Sequence, residues 1–553
     1  MKKILILVLM FLVVGCTNES KNIDLETPTG VMIFNNSEDN EAIVGGMTVE
    51  LFAIVNPSNA SQEVIWSSSD ENIATVSDSG VVTGINEGSV TITVKVKDYD
   101  FTDSIDLYVY DDNRNLKAID DIIDYLDTII PESTTEDIAL PSVLEGARLS
   151  WKSSNESIIS IIGRVSLGKA PESVTLTADV RIGRVRKEFE KEVMVDSYTL
   201  RDISNRKVSF AYLYDHAGSF TGFNDGDLDK IDVINYAFGG IRNGELALAS
   251  STRLPQIVSE SHKAGVRVVL AIGGWGVDGF SDASLTKDSR KIFIDSILEG
   301  IDKYHLDGID FDWEYPTSTA GGLIKARPED KQNFTHLVVE TYEALKAKNP
   351  DLTLSIAVPN GSWAAQSYYE VNKIKDHIDY LHLMSYDMIN FATASNKIVK
   401  SSHHTNLLPS SNAVSSATSG INAYHSLGIP KEKIVLGIAF YGHGFKVSNA
   451  GNNGMGADTD TAVAGNKFTI SYRAIVNDYL SNPETYTVYY DDAAKASWLY
   501  GNGTVISYDD PRSIAAKCDY VNDNDLGGVM FWQYSQDHTD SILVNAIFDN
   551  LNK

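Results

Sequence analysis

Three acids stand at alternate positions in DGIDFDWEYP (307–316): Asp310, Asp312 and Glu314, interleaved with Ile309, Phe311 and Trp313. A period of two is the period of a β-strand, so the acids share one face and the apolar residues share the other. At about 3.3 Å per residue, Asp312 and Glu314 lie roughly 7 Å apart along the backbone. Two charges at that separation, in an effective dielectric of about 20, repel by roughly 2 kcal/mol, or between one and two pKa units. Repulsion of that size keeps one carboxylic acid protonated near neutrality, the state a general acid needs. A calcium loop also alternates acids, but it requires glycine at its turn and no interleaved Phe and Trp. A buried ion-pair network would need Lys or Arg, and the stretch has neither. Asp307 falls on the other parity, near the start of the strand.

A strand that presents acids to one side needs a frame that gives that side an opening. From about Arg206, short apolar strands alternate with helical segments. The strands are KVSFAYLY, DVINYAF, VRVVLAIGG, GIDFDW, LTLSIAV, YLHLMSYD, KIVLGIAFYG and GGVMFWQY. Eight strand–helix units over residues 206–550 predict a closed (β/α)8 barrel, whose active sites lie at the C-terminal ends of the strands. Glu314 occupies such an end on the fourth strand. An open doubly wound sheet is the alternative, but no glycine-rich dinucleotide fingerprint follows the first strand. Between the seventh strand and the helix from Pro511 to Val521 lies a Tyr-rich, β-like stretch, about 443–507. It is expected to rise from the catalytic face and wall one side of a cleft.

Ahead of the barrel the pattern is β throughout. Val90, Ile92, Val94 and Val96 alternate with polar residues, and a second region repeats the theme around LSWKSSNESIISIIGRV and SVTLTADVRI. Residues 30–110 and 111–198 are therefore expected to form two β-sandwiches in tandem, with Trp66 and Trp151 in their cores. At the amino end, Lys2 and Lys3 precede an apolar run, Ile4 to Val14, too short to span a bilayer comfortably. It reads as the core of a signal peptide, 1–15, with a polar tether over 16–29. Cys518 is the other cysteine and is expected to be an inert buried thiol.

The formal charge of −29, from 46 basic and 75 acidic residues, argues against nucleic acid or an anionic surface as the main partner. A hydrophobic content of 43% is ordinary for globular protein.

Several motifs then fall together. DGIDFDWE matches the DxxDxDxE signature of glycoside hydrolase family 18, the chitinase-type barrel. AIGGW (271–275) resembles its third-strand SxGG motif, MSYD (384–387) its sixth-strand MxYD, GIAFYG (437–442) its seventh-strand segment, and GGVMFW its last strand. The stretch after the seventh strand looks like the family's small α+β insertion domain. The first β-region resembles a bacterial Ig-like domain of group 2, the second its relatives less closely. VVGC (13–16) resembles a bacterial lipobox, which implies cleavage before Cys16 and lipidation of its sulfur.

The resemblance implies a retaining, substrate-assisted hydrolysis of β-1,4-linked N-acetylglucosamine. Glu314 would be the general acid, Asp312 the holder of the acetamido N–H, and Tyr386 the donor to the acetamido oxygen. Asp310 would share a proton with Asp312, Asp387 would assist at the reacting sugar, and Trp532 would floor it. Tyr212, Phe238, Gly274, Trp275, Met384 and Tyr441 are expected in the cleft, and Trp313, on the outward parity, in the core. Chitin or its oligosaccharides would be the partner of a monomeric, surface-anchored lipoprotein, with no metal, nucleotide or other cofactor. The Ig-like modules would either bind a polysaccharide or hold the barrel away from the membrane. The rival readings are an endo-β-N-acetylglucosaminidase on N-glycans, a muropeptide-cleaving barrel and a non-hydrolytic lectin. Two departures stand out. Ala271 replaces the usual serine that helps hold the buried acid, so Tyr212 or water is expected to take over that contact. His443 stands where arginine is frequent.

Overall fold

The computed structural model describes residues 25–35, 41–43, 48–216, 220–249, 253–319, 324–389, 400–447, 451–459 and 467–553. Cys16, the signal segment and most of the tether lie outside the described residues.

The first module is a two-sheet sandwich. One sheet runs in the order Gly30–Asn35, Thr48–Asn56, Val81–Gly84, Ala74–Val76; the other runs Glu41–Ile43, Thr102–Tyr110, Gly88–Val96, Val64–Ser68. The alternating strand turns Val90, Ile92, Val94 and Val96 inward, and Trp66 packs where the two sheets meet.

The second module corrects the expectation of a second sandwich. It has one five-stranded sheet, in the order Val143–Leu144, Ala147–Ser153, Glu172–Ile182, Val185–Val195, Ser133–Thr134. A helix, Asp112–Ile129, takes the place of the second sheet, and Asp111 caps it by accepting from the Arg114 N–H at 2.9 Å. Ile119, Ile122, Leu126 and Ile130 are spaced as one helical face and lie buried with Val174, Leu176, Ala178 and Val180 of the sheet. That 3.6-residue period decides the segment as helix despite the β-rich sequence on both sides. Trp151 packs against this core, and its indole N–H donates to the Pro141 carbonyl at 2.8 Å.

The barrel strands, here numbered in chain order, are β1 (Val208–Tyr214), β2 (Val233–Arg242), β3 (Arg267–Gly273), β4 (Gly308–Asp312), β5 (Thr353–Pro359), β6 (Tyr380–Met384), β7 (Ile434–Ala439) and β8 (Gly528–Trp532). All eight pair in parallel, and β1 bonds both β2 and β8, which closes the cylinder. The apolar parity of β4 faces the helices as expected. Trp313 stacks on Phe280 at 5.2 Å, and Phe311 meets Phe293 and Phe334. Cys518 is buried in the helix Pro511–Asp523, and burial pushes its thiol up to about 12.

Two attachments matter for the site. The stretch after β7 forms an antiparallel sheet in the order Lys467–Ser471, Tyr441–Lys446, Thr504–Tyr508, Ala496–Gly501, Thr487–Asp491. Its strand Tyr441–Lys446 leaves directly from the end of β7 and so carries Tyr441 and His443 to the barrel mouth. At the opposite end, the second module docks on the barrel's N-terminal face. Lys263 pairs with Asp137 at 2.7 Å, Ser259 donates to the Val165 carbonyl at 2.8 Å, and Tyr198 stacks on His262 at 3.9 Å. Asp307 has its role here. It accepts from the Val268 N–H and bonds His262 at 2.7 Å, tying the starts of β3 and β4 to this contact.

Because the helix supplies one whole layer of the second module, Leu126→Ala is expected to destabilise that module by about 2–5 kcal/mol. Denaturant unfolding followed by fluorescence should show its transition at lower concentration; an unmoved transition would mean the helix is not packed as described.

Candidate active site

The C-terminal ends of the strands surround a cavity of about 330 Å³. Its lining includes Asp312, Glu314, Tyr386, Asp387, Trp532, Tyr212, Phe238, Gly274, Trp275, Met384 and Tyr441, so eleven expected residues meet in one place. Asp310, the twelfth, is fully buried beneath them. Tyr214, Val277 and Ala357 also line the cavity and carried no sequence signal.

The glycine pair at the end of β3 fixes the acid strand from the side. Gly273 has φ +116°, and a Cβ there would lie 2.1 Å from the Asp312 carbonyl. Gly274 has φ +91°, and a Cβ would strike the Phe238 ring at 2.6 Å, while its N–H donates to the Asp312 carbonyl at 2.8 Å. Both features exclude side chains, so the two glycines let backbone and ring close in around Asp312. Phe238 in turn stacks on Trp532 at 5.5 Å and 21°, and Tyr212 and Tyr214 flank the same indole at 5.9 Å. The result is a broad aromatic floor held rigid from three sides.

Below that floor lies a buried polar network. Tyr212 donates to Asp310 Oδ2 at 2.7 Å and Ser355, on β5, donates to Oδ1 at 2.6 Å. His382 Nδ1 lies within hydrogen-bond distance of the Tyr212 oxygen, at 2.8 Å. Burial holds His382 down at about 3, so its ring is neutral. Burial pushes the Asp310 carboxyl up to about 6 against the opposing pull of Ser355 and Tyr212. The space left by Ala271 is thus compensated by Tyr212, as expected, and by Ser355 and His382, which sequence reading missed. Both lie in apolar strand patterns (TLSIAV, YLHLM) where one polar residue reads as incidental.

Asp312 is pushed well above the ordinary carboxylate range, first by burial and then by the charges of Glu314 and Asp310. Its Oδ1 is buried with no hydrogen-bond partner among the described residues. Glu314 is raised to about 7 by burial, with Asp387 adding to the rise and the Tyr315 phenol holding it back. This refines the argument from spacing: desolvation outweighs repulsion at Glu314, and repulsion within the trio falls chiefly on Asp312.

Asp387 behaves oppositely. Its position in the cleft raises it, but the His443 hydrogen bond and charge, with His404 and Tyr441, outweigh that and hold it at about 2. His443 Nε2 and the Tyr441 hydroxyl both donate to its Oδ1, at 2.5 and 2.7 Å. His443, at the position where the family frequently has arginine, therefore grips Asp387. Tyr386 stays protonated well above its ordinary range, through burial and the charges of Asp312, Asp387 and Glu314. Among the described residues its hydroxyl meets only the Met530 sulfur, at 3.8 Å, so a strong donor remains for a ligand.

A protonated acid at a cleft mouth, a buried acceptor without a donor, a phenol without an acceptor and an aromatic floor together define a site for cleaving a glycosidic bond. Residues 205–537 match the model of glycosyl hydrolases family 18, and residues 33–105 match that of bacterial Ig-like domains of group 2. The first match covers more than half the chain, and the chain belongs to glycoside hydrolase family 18. Chitinase A1 of Niallia circulans is 33% identical over 298 residues, which is 50% of this chain and 41% of that protein. Endochitinase of Manduca sexta is 28% identical over 342 residues, 57% of this chain and 60% of that one. The chain thus spans about two to three fifths of these relatives. Among solved structures, a family 18 N-acetylglucosaminidase from Paenibacillus barengoltzii superposes with a TM-score of 0.57 at 32% identity, covering 62% of this chain and 100% of that one.

Glu314 can give up a proton only while it holds one. Since its folded-state pKa is raised to about 7, the acid form is full below that value and lost above it. The rate kcat/KM is expected to fall about tenfold per pH unit on the alkaline side of neutrality. A pH profile flat to pH 9 would remove Glu314 as the acid.

Proposed function

We propose that this protein is a chitinase that hydrolyses β-1,4-linked N-acetylglucosamine polymers and oligomers with retention of configuration. The observation that carries this reading is the Asp312 Oδ1, buried and without a partner among the described residues, at the cavity that the aromatic floor also lines. A buried acceptor without a donor is costly. A 2-acetamido N–H supplies the missing donor, and a 2-hydroxyl sugar lacks the carbonyl that Tyr386 is free to meet.

With the sugar's apolar face on Trp532, Glu314 protonates the glycosidic oxygen. The substrate's own acetamido carbonyl oxygen then bonds to the anomeric carbon as the leaving group departs, giving an oxazolinium ion. Asp312, ionised or sharing its proton with Asp310, holds the acetamido N–H and offsets the positive charge. Tyr386 donates to the attacking oxygen and fixes its direction. The Glu314 carboxylate next takes a proton from water, which opens the oxazolinium from the same side and restores the acid. Asp387, kept ionised by His443 and Tyr441, lies alongside to orient the reacting sugar.

Glu314→Gln keeps the shape and loses the proton. Turnover of a chromogenic chitin oligosaccharide is expected to drop by at least about 10³-fold while binding persists, and a thiazoline analogue of the oxazolinium should inhibit the wild type. Full activity in the variant would overturn the assignment. The likeness to the Paenibacillus N-acetylglucosaminidase makes release of single sugars the second reading. Product analysis on chitin oligomers, beside a high-mannose glycopeptide, separates endo-chitinase, exo-acting and N-glycan activities.

We further propose that Cys16 is lipidated and anchors a monomeric enzyme outside the cytoplasm, with the Ig-like region as spacer. Support lies in the Lys2–Lys3 start, the short apolar run and the VVGC junction. Cys16→Ala is expected to abolish labelling by palmitate and move the protein out of the membrane fraction; retention of the label would refute the anchor.

A further inference from the structure

His404 is buried completely, and neither ring nitrogen has a hydrogen-bond partner of good geometry among the described residues. The Tyr441 carbonyl lies beside one of them. His404 comes from the chain after β6 and packs edge to face on His443, with ring centroids 4.8 Å apart. His443 is also buried, and its Nδ1 has no partner among the described residues. One donor atom each from Asp387, His404 and His443 lie within 4.8 Å of one another. Unpaired buried polar atoms cost free energy, so the His404 ring, buried beside the Asp387–His443 pair with both nitrogens unmet, suits a resident group there.

We propose that Asp387, His404 and His443 form a binding site for a divalent transition-metal ion of the zinc class, and that occupancy slows the enzyme by withdrawing Asp387 from the substrate. Two imidazoles and a carboxylate suit zinc and copper rather than calcium or magnesium, which favour all-oxygen sites. A tetrahedral ion at about 2.1 Å from each donor sets the donors about 3.4 Å apart. The donors here start at 2.5 Å between Asp387 and His443 and reach at most 4.8 Å, so shifts on the order of 1 Å complete the site, well within imidazole rotation. The Tyr441 carbonyl beside the His404 ring offers an acceptor for a ring N–H, the kind of support that metal-binding histidines commonly have. Lys517 lies beyond His404 and opposes a cation, but it is paired with Asp509 at 2.6 Å. The open side of Asp387 leaves the fourth position to water from the cleft. Because Asp387 would then serve the ion, its hydrogen bonds from Tyr441 and His443 cannot both persist, and the sugar loses its contact.

The test uses the full chain stripped with chelator. Co²⁺ as probe is expected to give a visible absorption band that saturates at one ion per chain in the wild type, with at least about 100-fold weaker binding in His404→Gln and in His443→Arg. Two variants guard against one failing to fold, and circular dichroism checks both. Zn²⁺ is then expected to slow turnover of a chromogenic oligosaccharide reversibly in the wild type and not in His404→Gln. The absorption arm does not depend on what the cleft hydrolyses, so it can succeed or fail apart from the proposed function. An absent band, or an equal band in wild type and variants, would overturn the site and leave water as the resident group.

Discussion

Withdrawal of the β4 carboxyls from water governs this molecule. One charge in low dielectric is expensive, and three crowded along the end of β4 and just beyond it cannot all be ionised. The surrounding structure answers that constraint at each level. Tyr212 and Ser355 hold Asp310 from two strands, the Gly273–Gly274 turn closes the backbone over Asp312, and Phe238 with Trp532 seals the top. The aromatic layer of Phe280, Phe293, Phe311 and Trp313 on the outer face keeps the strand from relaxing away from its neighbours. The protonation of Glu314 is therefore a property of the barrel rather than of one residue.

The two sides of the cleft are set up with opposite electrostatics. On the β4 side burial dominates and carboxyls are pushed upward. On the β6 and insertion side, donors crowd Asp387 and hold it ionised. A carboxylic acid and a carboxylate are thereby kept in different states within one small cavity, which is the general device for running acid and base chemistry together. The insertion sheet is indispensable to that asymmetry, since its first strand brings both Tyr441 and His443.

Much of this was legible because it is periodic. Eight apolar runs separated by helical spacing specify the closed barrel, and alternation on β4 specifies which acids share a face. What lacked a period was hidden. Ser355 and His382 are single polar residues inside strands buried on both faces, where burial pattern carries no direction. His404 lies in an irregular stretch, and only the folded chain sets it beside His443. The helix Asp112–Ile129 is masked in the sequence by the strand-rich stretches around it, although Ile119, Ile122 and Leu126 carry a plain helical spacing. Spacing along a strand reveals neighbours but not how much water they have lost, so it does not show that burial is the larger cause at Glu314.

The docking of the second module has a directional consequence. Tyr198 stacks on His262 at the starts of β3 and β4, whereas the cavity opens past their far ends. The polypeptide entering from the amino side therefore grips the barrel by its back. The mouth thus faces away from the second module, and a molecule entering the cleft approaches from the side opposite that contact.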